Sequence, residues 1–227
     1  LKIGAMATIR SVELSPHIRS NYAVLYEAIH QITSVQVKTV GTLVGNLCVA
    51  TPASDTAVAL FALGAELKII GANGERVIPV EKFFIKPGKT VMKTGEIVTE
   101  VMLPEPVPGA YGAFMNMVRT AADIAKVNVA VIITVNGDTC LNAKIAVGAV
   151  APTVFRAENA EGMIKGRKLD EEAIKMAAEA AAGETRPITD LRSTAEYRKE
   201  MTGILVGRAL EKAVERGGAQ SKGRESR

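Results

Sequence analysis

Pro104, Pro106, Pro108 and Gly109 fall within six consecutive residues. Each proline fixes φ and removes a backbone donor, so neither a helix nor a central strand can cross that stretch. The segment predicts a boundary between two folded pieces, residues 1–108 and 109–216. In a chain of 227 residues, each piece is long enough to bury a core. From 217 to 227 the residues are small and polar, which predicts a disordered tail.

Upstream of the boundary, helical and strand-like periods alternate. Leu1 to Ala5 reads as a short strand. Thr8 caps a helix through Leu14, and Ser15-Pro16 supplies the cap and first position of the next. Apolar residues at Val24, Leu25, Ala28, Ile29 and Ile32 give Tyr22 to Ile32 a helical spacing. The stretch from Val40 to Asp55, VGTLVGNLCVATPASD, places Gly41, Thr42, Gly45 and Asn46 between periodic segments. It reads as a glycine turn, where backbone amides can approach an anion closely. Ser54 and Asp55 then open an almost wholly apolar, hence buried, helix that Gly64 ends. Glu66 to Ile70 and Arg76 to Val80 form a hairpin around Asn73-Gly74. Glu81 to Ile85 reads as a turn of helix and Ile97 to Leu103 as a third strand.

Beyond the boundary, Tyr111 to Arg119, Val127 to Val135 and Leu141 to Val150 read as strands, the last two joined through Asn136-Gly137-Asp138. Helical patterns follow over 157–165, Asp170 to Ala182 and Ser193 to Glu215. Three antiparallel strands followed by helices is an α+β pattern.

Composition excludes several function classes. The net charge of +4 is partly carried by Lys222, Arg224 and Arg227 near the chain end, so it is no nucleic-acid footprint. Apolar runs such as Val129 to Val135 are far short of the roughly 20 residues of a membrane helix. Cys48 and Cys140 are too few for a four-thiolate metal or iron–sulfur site, and they suit a reducing cytoplasm. His17 and His30 have no partner at metal-ligand spacing, and no nucleophile–base–orienter set assembles. No catalytic or metal-ligating residue is therefore expected. Packing alone accounts less well for three segments: the glycine turn, KTGEIV (Lys93 to Val98), and RTAADIAKVN (Arg119 to Asn128). In the last, Lys126 opens a strongly apolar strand. It is either a solvated edge residue or a cation beside an electron-rich ligand.

Together these segments resemble the flavin-binding subunit of the molybdenum hydroxylases, the family of xanthine dehydrogenase and carbon monoxide dehydrogenase. VGTLVGNLCVATPASD is similar to the family's flavin loop, and FFIKPGKTVMKTGEIVTEVMLP to the end of its flavin domain. RTAADIAKVNVAV and PITDLRSTAEYRKEM (Pro187 to Met201) are similar to stretches of its C-terminal domain. The resemblance implies the second lobe of a PCMH-type FAD-binding domain, followed by a domain of three-stranded antiparallel sheet plus helices. The chain opens on Leu1 directly into LKIGA, so the first lobe, with its own glycine-rich flavin loop, is expected to be missing. The resemblance further implies an oxidoreductase subunit in the cytoplasm that carries FAD. Its partners would be a large molybdopterin subunit and a small iron–sulfur subunit in a dimer of heterotrimers. Electrons would pass from iron–sulfur clusters to an acceptor such as NAD or oxygen.

Carried over by position, Ile32 approaches the flavin from the preceding helix. Gly41, Thr42, Gly45 and Asn46 surround the pyrophosphate, and Asp55 contacts the ribose or adenine side. Ile97 and Val98 pack around the cofactor, and Lys126 stands near the isoalloxazine. Val44 occupies a position where the family usually has the first glycine of a pair. A valine disfavours positive φ and crowds a close ligand. That departure and the expected lack of the first lobe motivate an alternative, a non-catalytic scaffold or interaction subunit of the same fold that has lost flavin binding.

Overall fold

The computed structural model describes residues 1–225 apart from Thr33 and Ala122, with side chains as far as Gly218. Strand β1 (Lys2–Gly4) leads into short helices: α1 (Ile9–Leu14), α2 (Pro16–Asn21), α3 (Ala23–Gln31), α4 (Val35–Val40), α5 (Leu43–Cys48) and α6 (Asp55–Leu63). The hairpin β2 (Glu66–Gly71) and β3 (Gly74–Pro79) follows, then a 3-10 turn at Val80–Lys82. A small ribbon of β4 (Phe84–Lys86) and β5 (Lys89–Thr90) precedes β6 (Ile97–Met102). After the prolines come β7 (Ala110–Met117), β8 (Val127–Asn136), β9 (Thr139–Gly148) and β10 (Phe155–Arg156). Helices α7 (Glu158–Ile164), α8 (Glu171–Glu184) and α9 (Ala195–Glu225) complete the chain.

Caps punctuate these helices as side-chain chemistry requires. The oxygens of Thr8, Ser15, Ser54 and Asp170 accept from the backbone N–H three residues on. Gly64 closes α6 in the left-handed region at φ 68°.

Strands β1, β6, β2 and β3 form one antiparallel sheet in the order β1-β6-β2-β3, and the later strands form another in the order β10-β9-β8-β7. The second sheet is buried on both faces. Phe114, Ala130 and Ala146 face a core with α3 and α6, together with Val58, Leu60 and Leu25. Val129, Val131, Ile133, Ile145 and Val147 face a second core with α8 and α9, including Ala177, Val206 and Leu210. That is why β8 is a continuous apolar run rather than an alternation.

The structure corrects four expectations. The turn between Val40 and Asp55 is helical over α5, because Leu43, Val44 and Leu47 share a face that is buried in the first core. The helical turn expected at Glu81 to Ile85 shortens to the 3-10 turn and then extends as β4, whose Phe84 packs edge-on to Phe83. The second sheet has a fourth strand, β10, held antiparallel to Val147 and Ala146 of β9. The polar tail expected from 217 is helical as far as Glu225. The helix is already nucleated when it reaches this segment and continues through Gly217, Gly218 and Gly223. Residues 226 and 227 lie outside the described residues.

Candidate functional site

The start of α5 is knitted to the chain after β1. The Ile9 N–H donates to the Gly41 carbonyl at 2.8 Å, the Leu43 N–H donates to Ala7 at 3.1 Å, and Thr8 bridges Thr42. The Ala5 N–H donates to the Thr99 carbonyl of β6 at 2.8 Å, so Ala5 to Thr8 joins the α5 terminus to the strand that carries Ile97 and Val98. Thr42 caps α5, its Oγ1 accepting from the Gly45 N–H at 2.9 Å. The glycines are required by close approach rather than by unusual torsions. A Cβ on Gly41 would lie 2.9 Å from the Val37 carbonyl oxygen, and one on Gly45 would lie 2.9 Å from Thr42 Oγ1. Val44, too, has no positive φ, and its side chain is in the core.

Asn46 ties α5 to the start of α6. Its Oδ1 accepts from the hydroxyls of Ser54 at 2.9 Å and Thr56 at 2.6 Å. The Nδ2 group makes no hydrogen bond to any described residue. Asp55, next along, receives a 2.7 Å hydrogen bond from Asn128 Nδ2, which also donates to the Ala53 carbonyl at 3.2 Å. Burial pushes the Asp55 carboxyl up to about 6, although hydrogen bonds from Asn128 and Asn116 pull the other way. Asn128 Oδ1 is buried without a partner, and a Cβ on Gly148 would lie 2.3 Å from it.

From Asn128 the connections run to the segments on either side of β8 and to the chain's last helix. Ala149, in the left-handed region at φ 63°, donates its N–H to the Pro52 carbonyl at 2.8 Å. Arg198, 3% exposed, donates to the carbonyls of Lys126 at 2.7 Å and Ala149 at 3.0 Å, and to Asp190 Oδ1 at 2.8 Å. The Lys126 ammonium stands 5.5 Å from the centre of the Tyr197 ring, a cation–π contact. It forms no ion pair with a described carboxylate.

The structure thus gathers Gly41, Thr42, Gly45, Asn46 and Asp55 along α5 and the start of α6, and links Asp55 through Asn128 to the Lys126 segment. Ile97 and Val98 do not share a face: Ile97 is 62% exposed and Val98 is packed in the first core. Ile32, the C-cap of α3, is half-buried against that core. Sequence reasoning missed Asn128, Asp190 and Arg198 as connecting groups, and Ala5 to Thr8 as the α5 support. A polar Asn at the head of an apolar strand was a signal, since a buried amide needs partners.

Comparison with known proteins places both halves. Residues 1–106 match the FAD binding domain in molybdopterin dehydrogenase. Residues 112–213 match the CO dehydrogenase flavoprotein C-terminal domain. The chain is 32% identical to the carbon monoxide dehydrogenase medium chain of Hydrogenophaga pseudoflava, covering 93% of this chain and 74% of that one. It is 30% identical to the glyceraldehyde dehydrogenase medium chain of Sulfolobus acidocaldarius, over 94% of this chain and 76% of that one. A solved structure of the Hydrogenophaga pseudoflava carbon monoxide dehydrogenase superimposes with a TM-score of 0.92 at 33% identity, covering 95% of this chain and 75% of that chain. By its sequence, its two matched domains and its fold, the chain belongs to the FAD-binding medium subunits of the molybdenum hydroxylase family.

Proposed function

We propose that this chain carries FAD at the α5–α6 junction and hands electrons from iron–sulfur clusters of a small partner subunit to an acceptor such as NAD or oxygen. A large molybdopterin subunit would oxidise the substrate. The reading rests on Asn46. Two hydroxyls hold its carbonyl oxygen, which leaves its Nδ2 donor unpaired on the same short helix as the exposed Gly45 and the Thr42 hydroxyl. That donor set suits a pyrophosphate, and the exposed Ile97 and Met6 offer apolar surface to a ring system.

In the working protein, Thr42 and Asn46 would hold the pyrophosphate, and Asp55, fixed by Asn128, would hold the ribose or adenine side. Lys126 would supply an uncompensated positive charge beside the ring, the arrangement that favours a reduced, anionic partner. Bound FAD supplies the redox chemistry, and these residues supply position and charge. Ile32, Gly41 and Val98 contribute through the packing that holds α3, α5 and β6 in place. The molybdopterin and iron–sulfur groups belong to partners assembled as a dimer of heterotrimers in the cytoplasm. Among the described residues no helix is long and apolar enough to cross a membrane.

The test is purification of the chain together with its neighbours. Flavin absorbance, iron and molybdenum in the isolated complex are the expected result, with flavin retention lowered about 10-fold or more by Asn46→Ala through loss of a charge-assisted contact. A wild-type preparation without flavin overturns the reading. The scaffold alternative rests on Val44. Because that side chain is helical and buried, Val44→Gly is expected to leave flavin affinity no higher.

A further inference from the structure

A large hollow lies away from the α5–α6 junction. It encloses about 700 Å³ where α3 and α6 stop short of covering the second sheet. Ile132, Thr134, Asn142 and Lys144 form its floor, and they are cross-strand partners on one face: Ile132 pairs with Lys144 and Thr134 with Asn142. Tyr22 to Val24 and Ala62-Leu63 make two walls, and Pro104 to Val107 a third. None of the flavin-site residues lines it. The volume is that of a small-molecule site, and the lining is largely apolar.

Two charged groups at this hollow have no hydrogen-bond or ion-pair partner among the described residues: Lys144 in its floor, and Glu105, which is exposed on the Pro104 to Val107 wall. Arg216 also reaches the hollow, but its guanidinium is taken by Glu27 and the Gly112 carbonyl. Lys144 is half-buried and makes no hydrogen bond or ion pair with any described residue. The nearby carboxylates of Glu81 and Glu161 are both engaged by Arg156. Burial and the charge of Arg156 pull the Lys144 ammonium below its ordinary pKa, which marks it as incompletely compensated. Its Nζ stands over Gly64 at the end of α6, where a Cβ would lie 2.3 Å away. It also lines a second hollow of about 370 Å³ beside Glu66, Pro79 and Arg156. An unpartnered cation in an apolar cleft costs stability in the empty protein, and an anionic ligand removes that cost.

We propose that this cleft binds a small organic monoacid, with its carboxylate on the Lys144 ammonium and its apolar body against Val24, Leu63 and Ile132. A single free ammonium suits one negative charge, whereas a phosphate dianion would need more donors than the apolar walls supply. The site is independent of the flavin reading, so its test requires neither cofactor nor partner chains.

The probes are 2-naphthoate and its neutral counterpart 2-naphthol, measured by equilibrium dialysis and calorimetry on the whole chain near neutral pH. Saturable 2-naphthoate binding, at least about 10-fold tighter than 2-naphthol, is expected from a charge-assisted contact. Lys144→Met should weaken 2-naphthoate about 10-fold or more and leave 2-naphthol unchanged, and Lys144→Arg should retain affinity within about threefold. Thr134→Phe, which fills the floor without touching the charge, should reduce binding of both probes. Far-UV circular dichroism checks that each variant is folded. If Lys144→Met does not fold, the naphthoate–naphthol ratio and Thr134→Phe still decide. Equal 2-naphthoate affinity in wild type and folded Lys144→Met overturns the proposal, because Lys144 then serves only the end of α6. Absence of saturable binding below about 5 mM, a free energy near 3 kcal/mol, overturns it as well.

Discussion

As the first residue of α6, Asp55 sits where the helix dipole favours a carboxylate, yet burial pushes its pKa up to about 6 against the pull of the hydrogen bonds from Asn128 and Asn116. A folded value above the unfolded one means that the native state holds its proton to higher pH, so the ionised carboxylate costs stability. That cost is absent below the ordinary value of 3.8, grows as pH rises toward about 6, and is constant above. Asp55→Asn keeps an oxygen for Asn128 Nδ2 and removes the charge. It should raise stability near neutral pH by about 1–2 kcal/mol, discounted for the solvent that reaches a half-buried group, and should have no such effect below about pH 4. Urea unfolding across that range checks the prediction, and a pH-independent difference would contradict it. A group kept at this cost is what a binding site looks like electrostatically. At the same scale, the caps at Thr8, Ser15, Ser54 and Asp170 were legible, because a cap is written within four residues of sequence. The Asp55–Asn128 bond was not, since its partners lie 73 residues apart.

Secondary elements were legible where period and caps agreed, and less so where a glycine or a short length masked the period. Helix α5 has six residues with Gly45 in its middle, so it reads as a turn until the burial of Leu43, Val44 and Leu47 is known. Strand β10 has two residues and no period at all. Less visible still was the junction of α3, β7 and α9. Glu27 of α3 accepts from the Phe114 N–H of β7 at 2.9 Å and is paired with Arg216 of α9, with Lys212 at 3.3 Å. Arg216 in turn donates to the Gly112 carbonyl, so two side chains occupy backbone groups along β7, an edge strand of its sheet. Burial would raise the pKa of Glu27, but Arg216, the Phe114 amide and Lys212 more than offset it and hold the carboxyl below 4.5. A depressed value stabilises the fold above the unfolded pKa, and that stability is lost as pH falls through the folded one. Glu27→Gln should therefore cost about 2 kcal/mol near neutral pH. The gap between variant and wild type should narrow as pH falls below the ordinary 4.5 and close only once pH has passed through the depressed folded value, where the wild-type carboxylate is also neutral. Thermal melts from neutral to acid pH measure it, and a gap that widens in acid would refute the assignment.

At the scale of the molecule, the prolines from Pro104 to Pro108 mark where regular structure stops, but not how strongly the two halves depend on each other. The second sheet lends one face to each of two cores: Phe114, Ala130 and Ala146 complete the core of α3, α5 and α6. Polar links cross the same boundary, from Asn128 to Ala53 and Asp55, from Ala149 to Pro52, and from Arg216 to Glu27. The apolar run of β8 carried this information, because a strand buried on both faces must be covered twice. What the run could not name was the element on each side, since that depends on pairings distant in sequence. If the halves were joined only by a linker, heating would melt them separately. With a shared core, removing the second half would expose the inner faces of α3 and α6, an apolar loss too large for the remainder to survive alone. Calorimetry should then show one transition, with a calorimetric to van't Hoff enthalpy ratio near one. Residues 1–108 expressed alone should lack a cooperative melt. Two resolved transitions, or a cooperative melt of that piece, would show that the shared sheet couples the halves less than its burial requires.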